Sequence, residues 1–353
     1  MYIQPITEER TAGRPGGGVI DLSGTRIRTD VDFDRDGRTI GDLKVRYSDD
    51  RYASGYIPIP IAVIKNGAGP TVLLAAGNHG DEYEGQIALM KLIHGLDPTS
   101  LHGRLIVLPT LNAPAVGAAR RTSPIDGQNF NRAFPGNRDG GPTAMLAHFV
   151  ESVLLPACDA ALDLHSGGRA SYYSPCALIT RGRDAAVYRA SLALGAAFGL
   201  PLTLLLGALN EDRSLNAAAD RQGVPMMATE LGGGASVNRG IATLAEQGVL
   251  RSLHHLGVVD GPTPPPAATR YLEVRGENQY VYAPSAGVFE PAIDVGRDVA
   301  AGDLAGFIHH VGEIDRPARE LRFTASGCVL AGCAQGLVER GAMLATVGCD
   351  ARP

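Results

Sequence analysis

The sequence predicts an α/β fold, with a mixed, largely parallel sheet covered by helices on both faces and a small C-terminal β-sandwich or barrel domain. Apolar runs of strand length alternate with segments of helix length between residues 57 and 260, which is typical of a sheet with helical connections. A proline-rich stretch follows, DGPTPPPAAT at 260–269, which cannot continue a helix. Short strand-like runs separated by glycine then fill residues 270–353, as in a compact β domain.

In chain order, these patterns divide the sequence into four segments. They are a β-rich N-terminal segment at 1–56, an α/β domain at 57–260, a proline-rich linker at 261–269 and a small β domain at 270–353. The strand candidates of the α/β domain are the apolar runs at 61–64, 72–76, 105–109, 160–164, 177–180, 202–206 and 226–230. The helix candidates are the segments at 83–95, 142–155, 184–198, 213–222 and 239–256.

Composition excludes several classes of protein. The chain has 353 residues and a formal net charge of −5, which argues against a dedicated nucleic-acid binder, since such proteins usually show a basic face. No apolar run approaches the roughly 18–20 residues that a membrane span needs. The first residues, MYIQPITEERTAGRPGGG, lack the basic start and apolar centre of a secretory signal. We therefore expect a cytoplasmic protein.

Residues 75–86, AAGNHGDEYEGQ, place several proton- or cation-binding groups directly after a predicted strand. His79 and Glu82 are three residues apart in a loop that enters a helix, a spacing that lets both reach one ion. His165 ends another predicted strand and can supply a third bond. Two imidazoles and a carboxylate, with a fourth position open, form the ligand set of a catalytic zinc site. Alternatively, His79 and Glu82 only stabilise the start of the helix, and His165 is a core histidine.

Other carboxylates lie near these candidates. Glu230 follows the predicted strand MMAT and precedes three glycines. It is positioned to move a proton from water to a leaving amine. Taken alone, however, a single glutamate at the end of a strand gives almost no indication of a catalytic role. Asp81 and Glu84 are expected to support the turn or to meet solvent. The sequence has no G-x-S-x-G, G-x-x-x-x-G-K-[ST], G-x-G-x-x-G or H-E-x-x-H motif, so the usual competing constellations are missing.

The basic side chains come from the loop RRTSPIDGQNFNRAFPG, which lies downstream of a predicted strand. Arg120, Arg121 and Arg132 fall in this loop together with Asn129 and Asn131. A guanidinium group can hold a carboxylate or stabilise an oxyanion that forms at a carbonyl. The alternative is a set of surface arginines with turn-forming asparagines.

Four motifs taken together, GNHGDEYEG, DGQNFNRAFPG, LDLHSGG and TELGGGA, resemble the succinylglutamate desuccinylase/aspartoacylase family, which is related to zinc carboxypeptidases. The resemblance covers roughly residues 57–260, and the tail is similar to the small β domain that many members carry. It implies a zinc carboxypeptidase-like fold and one Zn²⁺ per chain. It also implies that His79, Glu82 and His165 are the zinc ligands and that Glu230 is the catalytic carboxylate.

The same resemblance gives roles to the polar loop. Asn131 and Arg132 match the pair that holds the carboxylate of the substrate. Arg121, or else Arg120, matches the arginine that polarises the scissile carbonyl. If the zinc assignment is right, the rings of His79 and His165 must lie within about 6 Å of each other, because each ligand bond is roughly 2.1 Å long.

The expected function is that of a zinc-dependent hydrolase of non-peptide C–N bonds, which removes a small acyl group from an N-acyl amino acid. Longer strings, GYIPIPIAVIKNGAGP and ATELGGG among them, are most similar to the N-acetyl-diaminobutyrate deacetylase branch, which belongs to ectoine breakdown. The alternatives are deacylation of another N-acyl amino acid, carboxypeptidase-type peptidase action and a non-catalytic metal-binding module. The expected partner is a small molecule, with neither nucleic acid nor membrane, and the enzyme is expected to be a homo-oligomer.

Overall fold

The computed structural model of the protein describes residues 18–50, 52–207, 211–261 and 263–353. Residues 1–17 and 51 of the predicted N-terminal segment and residue 262 of the predicted linker lie outside the described residues. No helix in the described ranges combines the length and the apolar character needed to cross a membrane.

Five of the six α-helices of the described chain begin at or near the start of an expected segment. The helices are α1 (Glu84–Gly95), the unexpected α2 (Ala113–Gly117), α3 (Pro142–Phe149), α4 (Ala185–Phe198), α5 (Leu215–Gln222) and α6 (Arg239–His255). Three of them begin at a side-chain cap, in which Asp184, Ser214 and Asn238 accept hydrogen bonds from backbone N–H groups of α4, α5 and α6 respectively. These caps satisfy N–H groups that have no partner inside the helix.

One expected helix differs from the expectation. The segment 142–155 does not form a single α-helix, because α3 ends at Phe149 and the chain continues as a π-helical turn (Val150–Leu154) and a 3₁₀ turn (Leu155–Ala157). Pro156 has no N–H to donate and cannot continue a regular α-helix. The other short 3₁₀ turns are Pro98–Ser100, Phe130–Arg132 and Glu277–Gln279.

The strands form two sheets. In chain order they are β1 (Arg28–Thr29), β2 (Gly37–Tyr47), β3 (Gly55–Asn66), β4 (Thr71–Ala76), β5 (Gly103–Leu108), β6 (Ala160–His165), β7 (Ser171–Tyr173), β8 (Cys176–Thr180), β9 (Leu202–Leu206), β10 (Met226–Glu230), β11 (Arg270–Glu273), β12 (Tyr280–Tyr282), β13 (Gly287–Pro291), β14 (Asp298–Val299), β15 (Leu304–His309), β16 (Arg319–Arg322), β17 (Gly327–Cys333), β18 (Leu337–Val338) and β19 (Met343–Asp350). The large sheet has the order β1-β2-β3-β5-β4-β6-β10-β8-β9-β11-β19-β17-β14, with β12 beside β19 and β7 beside β17. The small sheet has the order β16-β15-β13-β18.

The predicted fold class is confirmed. The neighbours β5, β4, β6 and β10 run parallel, β8, β9 and β11 run parallel to one another, and β8 is antiparallel to β10. The large sheet also takes in β1–β3 at one edge and C-terminal strands at the other. The domain boundaries proposed from the sequence remain predictions.

Helices cover both faces of the central sheet. Along β4, Leu73 and Ala75 belong to a buried cluster that also contains residues of α3 and α5. Val72 and Leu74 point to the other face, into a cluster with residues of α1, α4 and α6. Because successive side chains of a strand alternate between faces, a strand that is apolar at every position must be covered on both sides.

The C-terminal residues have a core of their own. Phe289 and Ile308 from the small sheet pack in one cluster with Val329 and Val347 from the large sheet. Two sheets that share a core in this way form a sandwich.

Neighbouring parallel strands bring three loops to one edge of the large sheet. β4, β6 and β10 are adjacent and parallel, so their carboxyl ends meet there, where α/β proteins bind ligands. His165 and Glu230 are the last residues of β6 and β10 and are direct partners in the strand register. The tertiary structure therefore joins two candidate residues that lie far apart in the sequence.

Candidate active site

The loop after β4 is held in place by close backbone packing. Gly77 has a φ of 66°, a conformation that favours glycine. A Cβ atom on Gly80 would lie 2.0 Å from the backbone of Ala115, so no other residue fits there without movement. The backbone N–H of Gly80 donates to the carbonyl of Arg120 over 2.8 Å, and that of Asn112 to the carbonyl of Gly77 over 2.9 Å. The glycines of this motif thus fasten it to the segment after β5.

The three predicted metal ligands meet in one buried cluster. Nδ1 of His79 lies 2.8 Å from Oε1 of Glu82, and Nδ1 of His165 lies 2.9 Å from Oε2 of the same carboxylate. The ring centroids of His79 and His165 are 5.0 Å apart, which meets the 6 Å criterion. In the described part of the chain, these residues are the one group of His, Cys, Asp or Glu side chains arranged to hold a metal ion.

The opposite nitrogen of each ring has a partner that can only accept. Nε2 of His165 lies 2.8 Å from Oδ2 of Asp163, and Nε2 of His79 lies 3.1 Å from Oδ1 of Asn129. The Asn129 atom is identified as oxygen because the backbone N–H of Asn131 also donates to it. Both Nε2 atoms must therefore carry the hydrogen, and in the neutral rings Nδ1 keeps its lone pair. Partners of this kind fix the orientation of metal-binding histidines.

This arrangement fits a cation. If both histidines are neutral, the lone pair of each Nδ1 points at an oxygen of Glu82 over a hydrogen-bond distance. Two electron-rich atoms repel each other at that distance, so a proton or a metal ion must lie between them. A proton on His165 supplies part of the positive charge in the metal-free protein: burial lowers the pKa of His165, but the charges of Asp163 and Glu82 outweigh burial and raise it well above its usual value. Burial raises the pKa of Glu82, whereas the nearby His79 and His165 lower it more strongly. A divalent metal between the two Nδ1 atoms and Glu82 would supply the positive charge instead, and the ligand types are those of catalytic zinc.

Glu230 lies beside this cluster. Its Oε2 is buried and has no hydrogen-bond partner among the described residues. Burial, reinforced by the charge of Glu82, raises the pKa of Glu230 well above its usual value, although His165 and Arg121 oppose the change. A carboxyl group with a free oxygen and a raised pKa beside a metal site has the properties of a proton acceptor and donor.

The structure distinguishes the two candidate arginines. A terminal nitrogen of Arg121 lies 3.3 Å from Nδ1 of His79 and 3.8 Å from Oε1 of Glu82. Both residues are exposed, but Arg120 takes part here through its backbone carbonyl, which accepts from the N–H of Gly80. Arg121 is therefore the arginine that reaches the site.

Asn131 and Arg132 lie next to one another in the 3₁₀ turn Phe130–Arg132. Oδ1 of Asn131 accepts a hydrogen bond of 2.9 Å from the backbone N–H of Leu215 at the start of α5, so its amide nitrogen is the end that this bond does not use. Nε of Arg132 lies 3.1 Å from Oε2 of Glu211. Burial lowers the pKa of Arg132, and the nearby Arg121 and Arg213 add to this effect while Glu211 opposes it.

The solvent-exposed alternative for Asp81 and Glu84 is wrong, because both are buried. Oδ2 of Asp81 accepts from the backbone N–H of Arg169 over 2.8 Å, and Oε1 of Glu84 accepts from that of Asn238 over 3.0 Å. Each carboxylate thus supports the turn by binding another loop of the same sheet edge.

Sequence reasoning missed Asp163 as a partner of His165 and assigned Asn129 only to the arginine loop. Asp163 is fully buried in β6 and stands two residues before His165, on the same face of the strand. A single acid inside the apolar run AALDLH was the signal that could have revealed it.

Known proteins resemble this chain over most of its length. Residues 68–256 match the succinylglutamate desuccinylase/aspartoacylase catalytic domain. N-alpha-acetyl-L-2,4-diaminobutyric acid deacetylase of Halomonas elongata is 40% identical over 284 residues, which are 80% of this chain and 83% of that protein. A succinylglutamate desuccinylase/aspartoacylase from Rhodobacter sphaeroides has a TM-score of 0.88 and 40% identity, covering 93% of this chain and 100% of that one. The product-bound ectoine utilization protein EutE (DoeB) of Ruegeria pomeroyi has a TM-score of 0.89 and 37% identity, covering 92% and 99%.

Proposed function

Because the chain belongs to the succinylglutamate desuccinylase/aspartoacylase family and is a hydrolase of amide bonds, we propose that it is a zinc enzyme that deacetylates N-acetyl-L-2,4-diaminobutyrate. The choice of substrate is supported by the 40% identity to a deacetylase of that compound. The observation that carries the proposal is the buried set of His79, Glu82 and His165, with both Nδ1 atoms turned to one carboxylate and Glu230 beside it.

The ligands of the metal are His79, Glu82 and His165, and a zinc ion held there lowers the pKa of a water molecule and polarises an amide carbonyl. Glu230 takes the proton from the attacking water and returns it to the leaving amine. Its buried oxygen without a partner supports this role, because a proton must be accepted without breaking an existing hydrogen bond.

Positively charged side chains hold the substrate. Arg121 stabilises the negative charge that develops on the carbonyl oxygen, since its guanidinium group lies next to the proposed ligands. Arg132 and the amide nitrogen of Asn131 bind the carboxylate of the amino acid. Together these contacts fix the amide bond relative to Glu230, and positioning of this kind is a large part of catalysis.

Packing beside the site favours a small substrate over a long peptide. β7, six residues after His165, pairs with β17 of the C-terminal region, and the backbone N–H of Tyr173 in β7 donates to Gly232 in the loop after Glu230. The C-terminal strands are therefore attached directly to two of the loops that form the site. This observation supports deacylation rather than the alternative peptidase activity.

A substrate screen with zinc-loaded protein tests the proposal. The panel contains N-acetyl, N-succinyl and N-formyl amino acids, together with a long peptide. We expect the highest kcat/KM for N-acetyl-L-2,4-diaminobutyrate. A higher value for another N-acyl amino acid would contradict the substrate but keep the amidohydrolase, a preference for the long peptide would favour peptidase action, and a protein that binds zinc but cleaves nothing would favour the non-catalytic module.

Two further predictions concern the setting of the enzyme. A cytoplasmic location and a homo-oligomeric state are expected, and we propose both. Cell fractionation and light scattering of the purified protein measure them directly.

A further inference from the structure

The arginine proposed to bind the substrate already has an acidic partner. Nε of Arg132 lies 3.1 Å from Oε2 of Glu211. Arg213 holds the same carboxylate with two bonds, 2.8 Å from Nε to Oε1 and 3.1 Å from NH2 to Oε2, and its backbone N–H donates to Oε1 over 3.1 Å. A carboxylate has about four acceptor positions, so the three hydrogen bonds from Arg213 leave about one position of Glu211 for another donor. The side chains of Arg132 and Glu211 are 38% and 29% exposed, which leaves the pair open to a ligand.

The turn that carries Glu211 is anchored to the core. The backbone carbonyl of Glu211 accepts from the N–H of Ser214, which begins the cap of α5. Arg221 donates to the carbonyl of Asp212 over 2.7 Å and also forms two bonds of 2.8 Å with the buried carboxylate of Glu151. These bonds tie the backbone of residues 211 and 212 to α5, next to Arg132.

Only Nε of Arg132 faces Glu211, so the other N–H groups of the guanidinium can bind a substrate carboxylate. That carboxylate would then lie close to Glu211, and a ligand with no other charge would place two negative groups side by side. If the ligand also carries an ammonium group, that group can lie next to Glu211 and offset the added negative charge. In N-acetyl-2,4-diaminobutyrate, four bonds of about 1.5 Å each separate the carboxylate carbon from the side-chain nitrogen. The two charged groups thus span at most roughly 5 Å, a distance suited to simultaneous contact with the neighbouring side chains of Arg132 and Glu211.

We propose that Glu211 binds the side-chain ammonium of an N-acyl diamino acid while Arg132 binds its carboxylate, which makes Glu211 a specificity-determining residue. This inference rests on the proposed function and names the group that selects the substrate within it. Glu211 also disfavours substrates with a side-chain carboxylate, because like charges would face each other. Its closeness to Arg213 keeps it ionised: hydrogen bonds from Arg213 lower the pKa of Glu211 to about 2.

The test compares three substrates of similar size with the full-length, zinc-loaded protein. They are the Nα-acetyl derivatives of 2,4-diaminobutyrate, of 2-aminobutyrate, which lacks the ammonium group, and of aspartate. We expect Glu211→Gln to lower kcat/KM about 10- to 100-fold for the diamino substrate, the size of a charged hydrogen bond. For the aminobutyrate derivative we expect a change of less than about threefold, and for the aspartate derivative an increase. Glu313→Gln, which removes the carboxylate of a surface pair with Arg316, is the matched control.

A binding measurement gives a second readout that does not depend on turnover. In calorimetric titrations of the zinc-loaded protein, free 2,4-diaminobutyrate should bind the wild-type enzyme more tightly than 2-aminobutyrate, and Glu211→Gln should remove this difference. An equal loss on all three substrates would show that Glu211 only orients Arg132, and the inference would be wrong while the function stands. Wild-type activity on other N-acyl amino acids but not on the diamino substrate would also overturn it. A protein without any deacylase activity would overturn both.

Discussion

At the scale of single residues, the site depends on which nitrogen of each histidine carries the hydrogen. Asp163 and Asn129 accept from the two Nε2 atoms, which leaves both Nδ1 atoms for a cation. The two partners differ in charge, because one is a carboxylate and the other an amide. His165 is therefore held by the stronger acceptor and is expected to be the stronger ligand.

Asp163→Asn keeps the size of this partner but removes its charge. We expect a 10- to 100-fold loss of zinc affinity, which is typical when the partner of a ligand is changed, because His165 becomes less basic. Competition with a chelator of known affinity measures the change.

Asp159→Asn is a suitable control for this substitution. Asp159 lies just before β6, where it accepts from the backbone N–H of Thr71, and an asparagine oxygen can do the same. An equal loss of zinc affinity in both variants would show that Asp163 has no special role.

Glu230→Gln tests the proton acceptor. We expect zinc to remain bound while kcat falls by a factor of about 10²–10⁴, the usual contribution of a general acid–base group, because an amide cannot take up the proton. Elemental analysis and initial rates give the two values. Full activity with bound zinc would refute the role of Glu230.

At the scale of secondary-structure elements, the loops after β4, β6 and β10 act as one unit. Asp81 binds the loop after β6 and Glu84 binds the residue that caps α6. The first of these loops also binds the segment after β5 through Gly80. Four chain segments are thus joined to one another by hydrogen bonds, and these bonds help to keep His79, Glu82 and His165 in their relative positions.

Gly80→Ala should disturb that unit. The added Cβ would lie 2.0 Å from the backbone of Ala115, so the loop must move, and we expect a loss of about 1–3 kcal/mol in the free energy of unfolding together with weaker zinc binding. Denaturant unfolding and zinc titration measure these changes.

Gly117→Ala provides the comparison within the neighbouring helix α2. A Cβ there meets nothing within 4 Å, and we expect little change in stability or in zinc affinity. If Gly80→Ala behaved like Gly117→Ala, close packing at Gly80 would not be what positions His79 and Glu82.

At the scale of the whole molecule, the site joins strands from distant parts of the chain. His79 and Glu82 follow β4, His165 ends β6 and the C-terminal β17 pairs with β7 just beyond. A metal bound by the first three side chains would therefore link separate parts of the large sheet. It would also stabilise the folded state, because the unfolded chain cannot hold the three ligands together.

Removal of zinc with a chelator should accordingly lower Tm. A zinc concentration 100 times the Kd stabilises a protein by about 2.7 kcal/mol, which corresponds to a shift of about 4 °C in a protein of this size. Thermal melts before chelation, after it and after return of zinc measure the shift. Glu82→Gln should show no such dependence, and an equal response of that variant would place the stabilising metal elsewhere.

The sequence by itself determined the local features of this protein. Periodicity of apolar residues predicted most strands and helices of residues 57–260, although β3 is longer than expected and α2 and β7 were not expected. The spacing in GNHGDE identified the pair His79 and Glu82. Capping residues such as Asp184 also act over only a few positions, so their effects can be read directly from the sequence. The main local error, at 142–155, arose where Pro156 imposed a wider turn on an otherwise helical pattern.

Only the tertiary structure decided which distant residues meet. In the tertiary structure Arg121 rather than Arg120 reaches the site, and Asp81 and Glu84 are buried. Glu211 lies next to Arg132, and Nε2 of each histidine has an acceptor of its own. These contacts depend on strand register and on the packing of loops separated by tens of residues. Periodicity reports which face of an element is buried. Contacts between distant residues depend instead on how whole elements are assembled. This is why the candidate residues of the site could be identified from the sequence, whereas their contacts could not.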